Sequence, residues 1–343
     1  MKANRTASIF IITGIILILL IHAQSILIPF VIALMIWFLI KKVRNLVDKI
    51  GFIHRYIPRW LKNILATAFV FSVLTVIVRI LIGNIESLVG KYEDYAPNIQ
   101  VVAAKINELM QIDVEEEIYN FLKEFDFTSI LESFLNSLSY LIGNTMLIVL
   151  YLIFMLLEEA LFSEKLKLIF SRNEKELSDY TQILRKIDKS MGRYVSLKSL
   201  IALMNASLAF IILVIVGIDA PIFWAFIVFM FNFIPSIGPV LATVFPSLFC
   251  LIQFGEFVPF LIVFFGIGTV GVLISSLVEP RLMGNTLNIS PLVTILALAI
   301  WGSIWGILGA LLSVPITVAM IIILAQFPQT KNLAILLSEK GKI

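Results

Sequence analysis

The feature that most constrains this chain is a set of apolar stretches that are too long and too free of charge to fold in water. Residues 6–40 and 220–255 contain no Asp, Glu, Lys or Arg. Of the 343 residues, 60% are hydrophobic and 14% charged, whereas soluble domains average about 45–50% and about 25%. Because about 20 consecutive apolar residues suffice to cross a bilayer as a helix, the sequence predicts an all-α membrane protein with many spans.

The distribution of basic residues predicts which loops face the cytoplasm. Residues 41–62 carry seven Lys and Arg against one acid, whereas residues 84–137 carry eleven acids and three lysines. Since Lys and Arg hold short loops on the cytoplasmic side, we expect 41–62 to lie inside and 84–137 to lie outside. Both termini are then predicted to be cytoplasmic.

Apolar runs between these loops predict about eight spans. They cover residues 7–21, 26–40, 63–83, 138–157, 199–217, 258–277 and a final pair within 288–326. The N-terminal run has no small-residue cleavage pattern and is followed directly by another apolar run, so we interpret it as a retained span.

Five regions follow from this layout. They are N-terminal membrane helices with a basic loop (1–83), a small extracytoplasmic helical domain (84–137), a span with a cytoplasmic amphipathic helix (138–198), a C-terminal transport unit (199–330) and a tail (331–343). The amphipathic helix is predicted over 171–194, after a capping box from Ser171 to Glu174. It either covers its neighbours as a surface helix or couples to the transport unit.

Within the transport unit, the stretch "FNFIPSIGPV" at 231–240 breaks an otherwise apolar run. Proline lacks a backbone donor and clashes with the preceding turn, so a helix cannot continue through two of them. Each flanking arm is short for a full crossing, which favours a broken or re-entrant helical hairpin. Broken backbone at membrane depth is tolerated where it is buried in protein or lines a wet cavity, so the break is either a substrate site or a kink kept for packing. The residues of interest are Asn232, Pro235, Ser236, Gly238 and Pro239.

A second candidate cluster is "VEPRLMGNT" at 278–286. It places Glu279 and Arg281 on either side of Pro280, between two apolar runs. Ionisable residues within a membrane protein are candidates for function, although Arg281 also fits a topology signal at the interface. Asn205, on the span before the hairpin, adds a polar group to the predicted substrate path.

Three blocks in this half carry a family resemblance. They are "FNFIPSIGPVLATVFP" (231–246), "VEPRLMGNTLNISPLV" (278–293) and "WGSIWGILGALLSVPITVAM" (301–320). Their order and spacing resemble the C-terminal signature of the autoinducer-2 exporter family, also called PerM permeases, over roughly 190–327. Where members often have an aromatic residue after "IP", this chain has Ser236.

The resemblance implies a bacterial inner-membrane transporter with about eight spans. Members are associated with export of the quorum-sensing molecule autoinducer-2 and, in some cases, with sodium/proton antiport. Two kinds of transport are therefore weighed: export of a small polar solute, and sodium- or lithium-coupled proton antiport. The scarcity of carboxylates in the C-terminal half favours the solute. A non-transporting membrane scaffold is the alternative from another class.

Several function classes receive no support from the sequence. No GxxxxGK[ST] motif is present, so ATP hydrolysis by a P-loop is not expected. We expect no enzymatic activity, cofactor, metal site or nucleic-acid partner. The expected partners are the bilayer, a small polar solute or cation, and further copies of the chain. A homo-oligomer is predicted from the short N-terminal spans and from small-residue faces, which close helix packing in lipid requires; these faces carry Gly266, Gly271, Gly302, Gly306 and Gly309.

Overall fold

The computed structural model describes residues 2–48, 58–91, 94–95, 97–98, 100–102, 104–105, 139–140, 143–169, 174–283, 289–327, 329–339 and 341. Every regular element within these residues is a helix. We label them α1 (Lys2–His22), α2 (Gln24–Val47), α3 (Arg59–Gly90), α4 (Thr145–Ile169), α5 (Glu174–Val216), α6 (Pro221–Phe231), α7 (Gly238–Phe254), α8 (Phe257–Leu273), π1 (Ile274–Val278), α9 (Glu279–Met283), α10 (Pro291–Leu324) and α11 (Lys331–Leu337).

Five of the helical stretches are long and apolar enough to cross a bilayer. They are Gln24–Val47, Leu61–Leu88, Tyr180–Val216, Phe257–Met283 and Pro291–Leu324. Two shorter apolar helices, α6 and α7, lie between the third and the fourth. The predicted fold class, a helical membrane bundle, is confirmed.

Within 288–326, where a final pair of spans was predicted, the structure has two helical arms joined at Gly306. Gly306 interrupts α10 with φ 62° and ψ −143°, a conformation that is available mainly to glycine. The chain folds back beyond Gly306, as the hydrogen bond from the indole Nε1 of Trp301 to Thr317 Oγ1 at 3.2 Å shows. Sixteen residues of uninterrupted helix would instead separate these residues by about 24 Å.

Other helices are longer than the sequence predicted. The helix expected over 171–194 and the span expected over 199–217 form one continuous helix, α5, of 43 residues. Helix α3 has 32 residues and extends past the predicted span 63–83. The first two helices have 21 and 24 residues. Most of the predicted extracytoplasmic domain (106–137 of 84–137), the capping residue Ser171 and residues 284–288 lie outside the described residues.

The chain divides into two compact units. Unit 1 comprises Met1–Asn63, Leu135–Val195 and Asn288–Ile343. In it, α2 packs against α1, α4 and α10. Arg44, which is buried, donates to both carboxylate oxygens of Glu159 at 2.9 and 3.3 Å and to Asn63 Oδ1 at 2.7 Å. Because bidentate Arg–carboxylate pairs fix both position and angle, this network sets how α2 and α4 meet.

Unit 2 comprises Ile64–Phe134 and Ser196–Leu287. It contains most of α3, the C-terminal half of α5, the α6–α7 hairpin and the α8–π1–α9 stretch. The hairpin arms pack against each other, and α7 also packs along α8. All of the site residues predicted from the sequence belong to this unit.

Candidate functional site

The predicted break at 231–240 is present and separates α6 from α7. Helix α6 ends at Phe231, where Pro235 has no N–H to continue the helical ladder. Ser236 takes a left-handed conformation with φ 61°, which is uncommon for a residue with a side chain. Strained backbone of this kind is concentrated at functional sites. Asn232 beside it is buried, with 6% of its surface exposed.

Gly238 closes the hairpin at the first residue of α7. A Cβ atom there would overlap the carbonyl oxygen of Phe231 and lie 3.0 Å from its carbonyl carbon. Only glycine permits this approach of the two backbones. Pro239 follows in the first turn of α7, where a missing N–H breaks no hydrogen bond.

Both open ends of the hairpin lie at the same level. The backbone N–H of Asp219 donates to Gln253 Oε1 at 2.8 Å, and Gln253 Nε2 donates to the carbonyl of Gly217 at 3.1 Å. The arms contain 11 and 17 residues, or about 17 and 26 Å of helix, and the hydrocarbon core is about 30 Å thick. The hairpin therefore enters and leaves on one side.

The packing of α7 on α8 fixes the level of the hairpin tip. A Cβ on Gly268 would lie 3.5 Å from Thr243 Cγ2, and the chain reverses at Gly255, which has φ 64°. In this antiparallel register, residues 237 and 238 lie opposite residues 274 and 273. The tip is thus level with the start of π1.

Proline explains the π-helix. Pro280 cannot donate to the carbonyl of Ser276 four residues earlier, and its ring crowds that carbonyl. The ladder widens, so that the N–H of Glu279 bonds to the Ile274 carbonyl, five residues back. Such π-bulges occur frequently at functional sites. A second break in regular backbone therefore lies level with the hairpin tip.

Asn205 on α5 lies at this level as well. Two contacts show that α5 and the α8–α9 stretch run antiparallel. Lys198 pairs with Glu279, and Ile212, later on α5, lies 3.3 Å from the position of a Cβ on Gly266, earlier on α8. Asn205 is seven residues from Lys198 and so lies opposite residues 272–273. It is 3% exposed, and its Oδ1 atom has no hydrogen-bond donor among the described residues.

The sequence analysis missed the partner of Glu279. Lys198 Nζ lies 2.5 Å from Glu279 Oε1, with side chains 11% and 26% exposed. Arg281 and Pro280 are exposed on α9. The signal for the pair is the last lysine before the long apolar run, which the charge pattern alone assigns to the cytoplasmic segment.

Together these features define a class: a multi-pass α-helical membrane protein with helices broken inside the apolar region, as transporters have. The particular family follows from comparison with known proteins. The sequence profile of the family described as AI-2E family transporter matches residues 8–329, and the chain belongs to this family.

Individual relatives cover most of the chain. The AI-2 transport protein TqsA of Escherichia coli is 27% identical over 93% of this chain and 91% of its own length. A putative transport protein of Haemophilus influenzae is 26% identical over 92% and 91%. One from Borreliella burgdorferi is 34% identical over 57% of this chain and 54% of its own length. The chain is thus a membrane transport protein, and the predicted family is confirmed.

Proposed function

We propose that the chain moves a small polar solute across the bacterial inner membrane, without ATP hydrolysis, through a site at the level of the hairpin tip, π1 and Asn205. The observation that carries this proposal is the buried Oδ1 atom of Asn205, which lacks a donor at the level where two helices lose their regular backbone. A buried polar atom without a partner costs about 1–3 kcal/mol. A solute that supplies the donor would recover that free energy.

The groups at this level suggest what the solute offers. Asn205 Oδ1 is an acceptor without a donor among the described residues, so the solute should present an O–H or N–H donor. Asn232 and Ser236 at the tip could complete its contacts, since amide and hydroxyl groups both donate and accept. Autoinducer-2 is the first solute to test, because the E. coli relative is described as an AI-2 transport protein.

Cation/proton antiport is the second candidate, and one observation weighs against it. An antiporter of this kind needs a carboxylate that exchanges a proton for the cation. Glu279 is the carboxylate nearest to π1 in sequence, and its Oε1 is held by Lys198 at 2.5 Å. Because this carboxylate already has a cationic partner on α5, we propose that Glu279 has a gating or structural role.

The test is flux in proteoliposomes that contain the purified chain. Asn205→Leu should abolish autoinducer-2 movement, since it removes the acceptor and keeps a similar volume. Ser207→Ala is the matched control, because Ser207 lies on the same helix but is exposed. Equal flux in parent and Asn205→Leu would place the path elsewhere.

Two further outcomes decide between the classes. A proton flux that requires sodium or lithium and disappears in Glu279→Gln would favour the antiporter. No flux of either kind from protein that inserts normally would favour a scaffold.

We also propose that both termini are cytoplasmic. The described residues of 91–105 bond to both open ends of the hairpin. They belong to the acid-rich loop that charge places outside, so the open ends lie outside too, in the orientation that leaves both termini cytoplasmic. An impermeant thiol reagent should label Glu339→Cys, at an exposed position of the C-terminal segment, in everted vesicles and not in intact cells. The reverse pattern would invert the topology.

Assembly into a homo-oligomer is a separate proposal. Many large apolar side chains of α1 and α4 are exposed in the single chain, so lipid or further copies must cover them. Native mass measurement in nanodiscs tests it: multiples of 38.6 kDa support assembly, and a single copy contradicts it.

A further inference from the structure

The described residues between Lys91 and Lys105 bind the open end of the hairpin, and we call them the strap. Lys91 Nζ lies 2.8 Å from Asp219 Oδ1, and Tyr95 donates its hydroxyl to Asp219 Oδ2 at 2.8 Å. Both carboxylate oxygens of Asp219 are therefore engaged by the strap, immediately before the first arm begins.

The strap also binds the end of the second arm. Asn98 Nδ2 donates to the carbonyl of Gln253 at 2.6 Å, and Lys105 Nζ donates to the carbonyl of Gly255 at 2.9 Å. These carbonyls belong to the last turn of α7 and its C-cap, where helices lack internal donors and favour positive charge. One short segment thus satisfies polar groups on both arms.

Aromatic packing adds to these polar contacts. The ring of Tyr95 lies edge-on to Phe249 of α7 at 5.4 Å between centroids, and Phe249 lies 4.8 Å from Trp224 of α6. Tyr95 is only 7% exposed. The strap therefore joins a ring cluster that spans both arms, and aromatic contacts of this kind stabilise beyond their buried area.

The electrostatics at Asp219 favour the closed strap. Burial raises the pKa of this carboxyl, but hydrogen bonds from Lys91 and Tyr95, together with the charge of Lys91, outweigh burial and leave the pKa below its usual value. Burial and the bond to Asp219 raise the pKa of the Tyr95 hydroxyl, which therefore stays a donor. The next residue, Ala220, is held in a left-handed conformation with φ 51°.

We propose that the strap is a latch on the hairpin. While the strap holds Asp219 and the end of α7, water on the strap side does not reach the hairpin tip. When the strap is released, the tip becomes accessible from the strap side. A single carboxylate that takes two bonds from the strap is suited to such a latch, since both bonds are lost in one movement. The inference draws its role in solute movement from the proposed function, but access to the tip is measured without any solute.

The reporter is Asn232→Cys in a Cys250→Ser background, because Asn232 lies at the tip and is only 6% exposed while the strap is bound. It is labelled from the strap side with an impermeant thiol reagent and quantified at residue 232 by peptide mass spectrometry. Asp219→Ala, which leaves the strap without its acceptor, should raise the labelling rate about tenfold, as expected for losing a hydrogen bond to a charged group. Asp219→Asn keeps an acceptor for Tyr95 and should give a smaller increase. Glu256→Gln removes an exposed carboxylate at the same end and should change nothing.

A disulfide tests the opposite direction. A Cβ on Gly255 would lie 3.4 Å from Asn98 Cβ, close to the separation of about 3.8 Å that disulfides require. Oxidised Asn98→Cys/Gly255→Cys should slow labelling at residue 232 below the parent rate, and the same protein kept reduced should not.

Unchanged labelling in both the Asp219 variants and the cross-linked protein would overturn the latch. Faster labelling in the Asp219 variants, in a protein that moves neither autoinducer-2 nor cations, would instead sink the transport proposal and leave the latch standing.

Discussion

Replacing Gly238 by alanine should separate the two arms of the hairpin. The new methyl group would overlap the Phe231 carbonyl oxygen and lie 3.0 Å from its carbon and 3.3 Å from Ile234 Cβ. Real Cβ atoms essentially never come within 3.0 Å of another heavy atom, and the carbonyl oxygen would lie at 1.9 Å, so the backbones must move apart by at least about 1 Å at this point. Overpacking of this size costs about 3 kcal/mol when both sides are backbone and cannot yield.

Thermal unfolding in a mild detergent measures this cost. A loss of about 3 kcal/mol should lower the melting temperature by at least about 5 °C. Gly268→Ala is the matched control, because its methyl group would meet Thr243 Cγ2 at an ordinary 3.5 Å and alanine favours helix by about 1 kcal/mol. If Gly238→Ala melts within about 1 °C of the parent while Gly268→Ala behaves as expected, the arms do not approach at Gly238 and the hairpin is wrongly described.

Three further outcomes are expected. In a double-mutant cycle of Lys198→Met and Glu279→Gln, each single change should destabilise the protein by about 2 kcal/mol, less than for a fully buried pair because Glu279 is partly exposed. The double variant should be at least about 1 kcal/mol more stable than the sum of the two single effects. Additive effects would mean that the two side chains are not coupled. Gly309→Ala, whose methyl would lie 2.7 Å from the Trp301 carbonyl carbon, should melt below Gly302→Ala, which meets its nearest atom at 3.9 Å; equal melting would contradict the fold-back at Gly306. The pKa of Asp219 lies below its usual value, so the stability that its ionised carboxylate contributes is present above about pH 4 and is lost only as the pH falls further. The difference in melting temperature between the parent and Asp219→Asn should therefore be the same at pH 8 and pH 5. A difference that shrinks by pH 5 would contradict the Lys91 pairing.

The breaks in helices could be predicted from sequence because their causes are local. Two prolines and a glycine within five residues end α6 wherever the chain is placed. A reversal within 288–326 was also predicted, and it falls at Gly306, a glycine, which is the residue type that most readily adopts the required backbone angles. The family resemblance, over roughly 190–327, covers the hairpin and the α8–π1–α9 stretch of unit 2 together with α10 of unit 1.

Contacts between distant residues could not be predicted in the same way. Lys198 and Glu279 are 81 positions apart, and a lysine at the edge of an apolar run resembles a topology signal whether or not it has a partner. The strap was hidden for a similar reason, since Lys91 and Tyr95 lie in an acid-rich loop that suggested a separate domain. The small-residue faces assigned to assembly also have contacts within the chain: Gly302, Gly306 and Gly309 form the α10 fold-back, and Gly266 faces Ile212.

The most direct test of the account is to locate a bound solute. A cryo-electron microscopy map of the protein, saturated with autoinducer-2 or with whichever solute the flux assay identifies, should show density at the level of the hairpin tip and π1. The account predicts a donor atom of the solute within about 3 Å of Asn205 Oδ1, as hydrogen bonding requires. Solute density elsewhere, with Asn205 Oδ1 bonded to a donor of the protein itself, would contradict it.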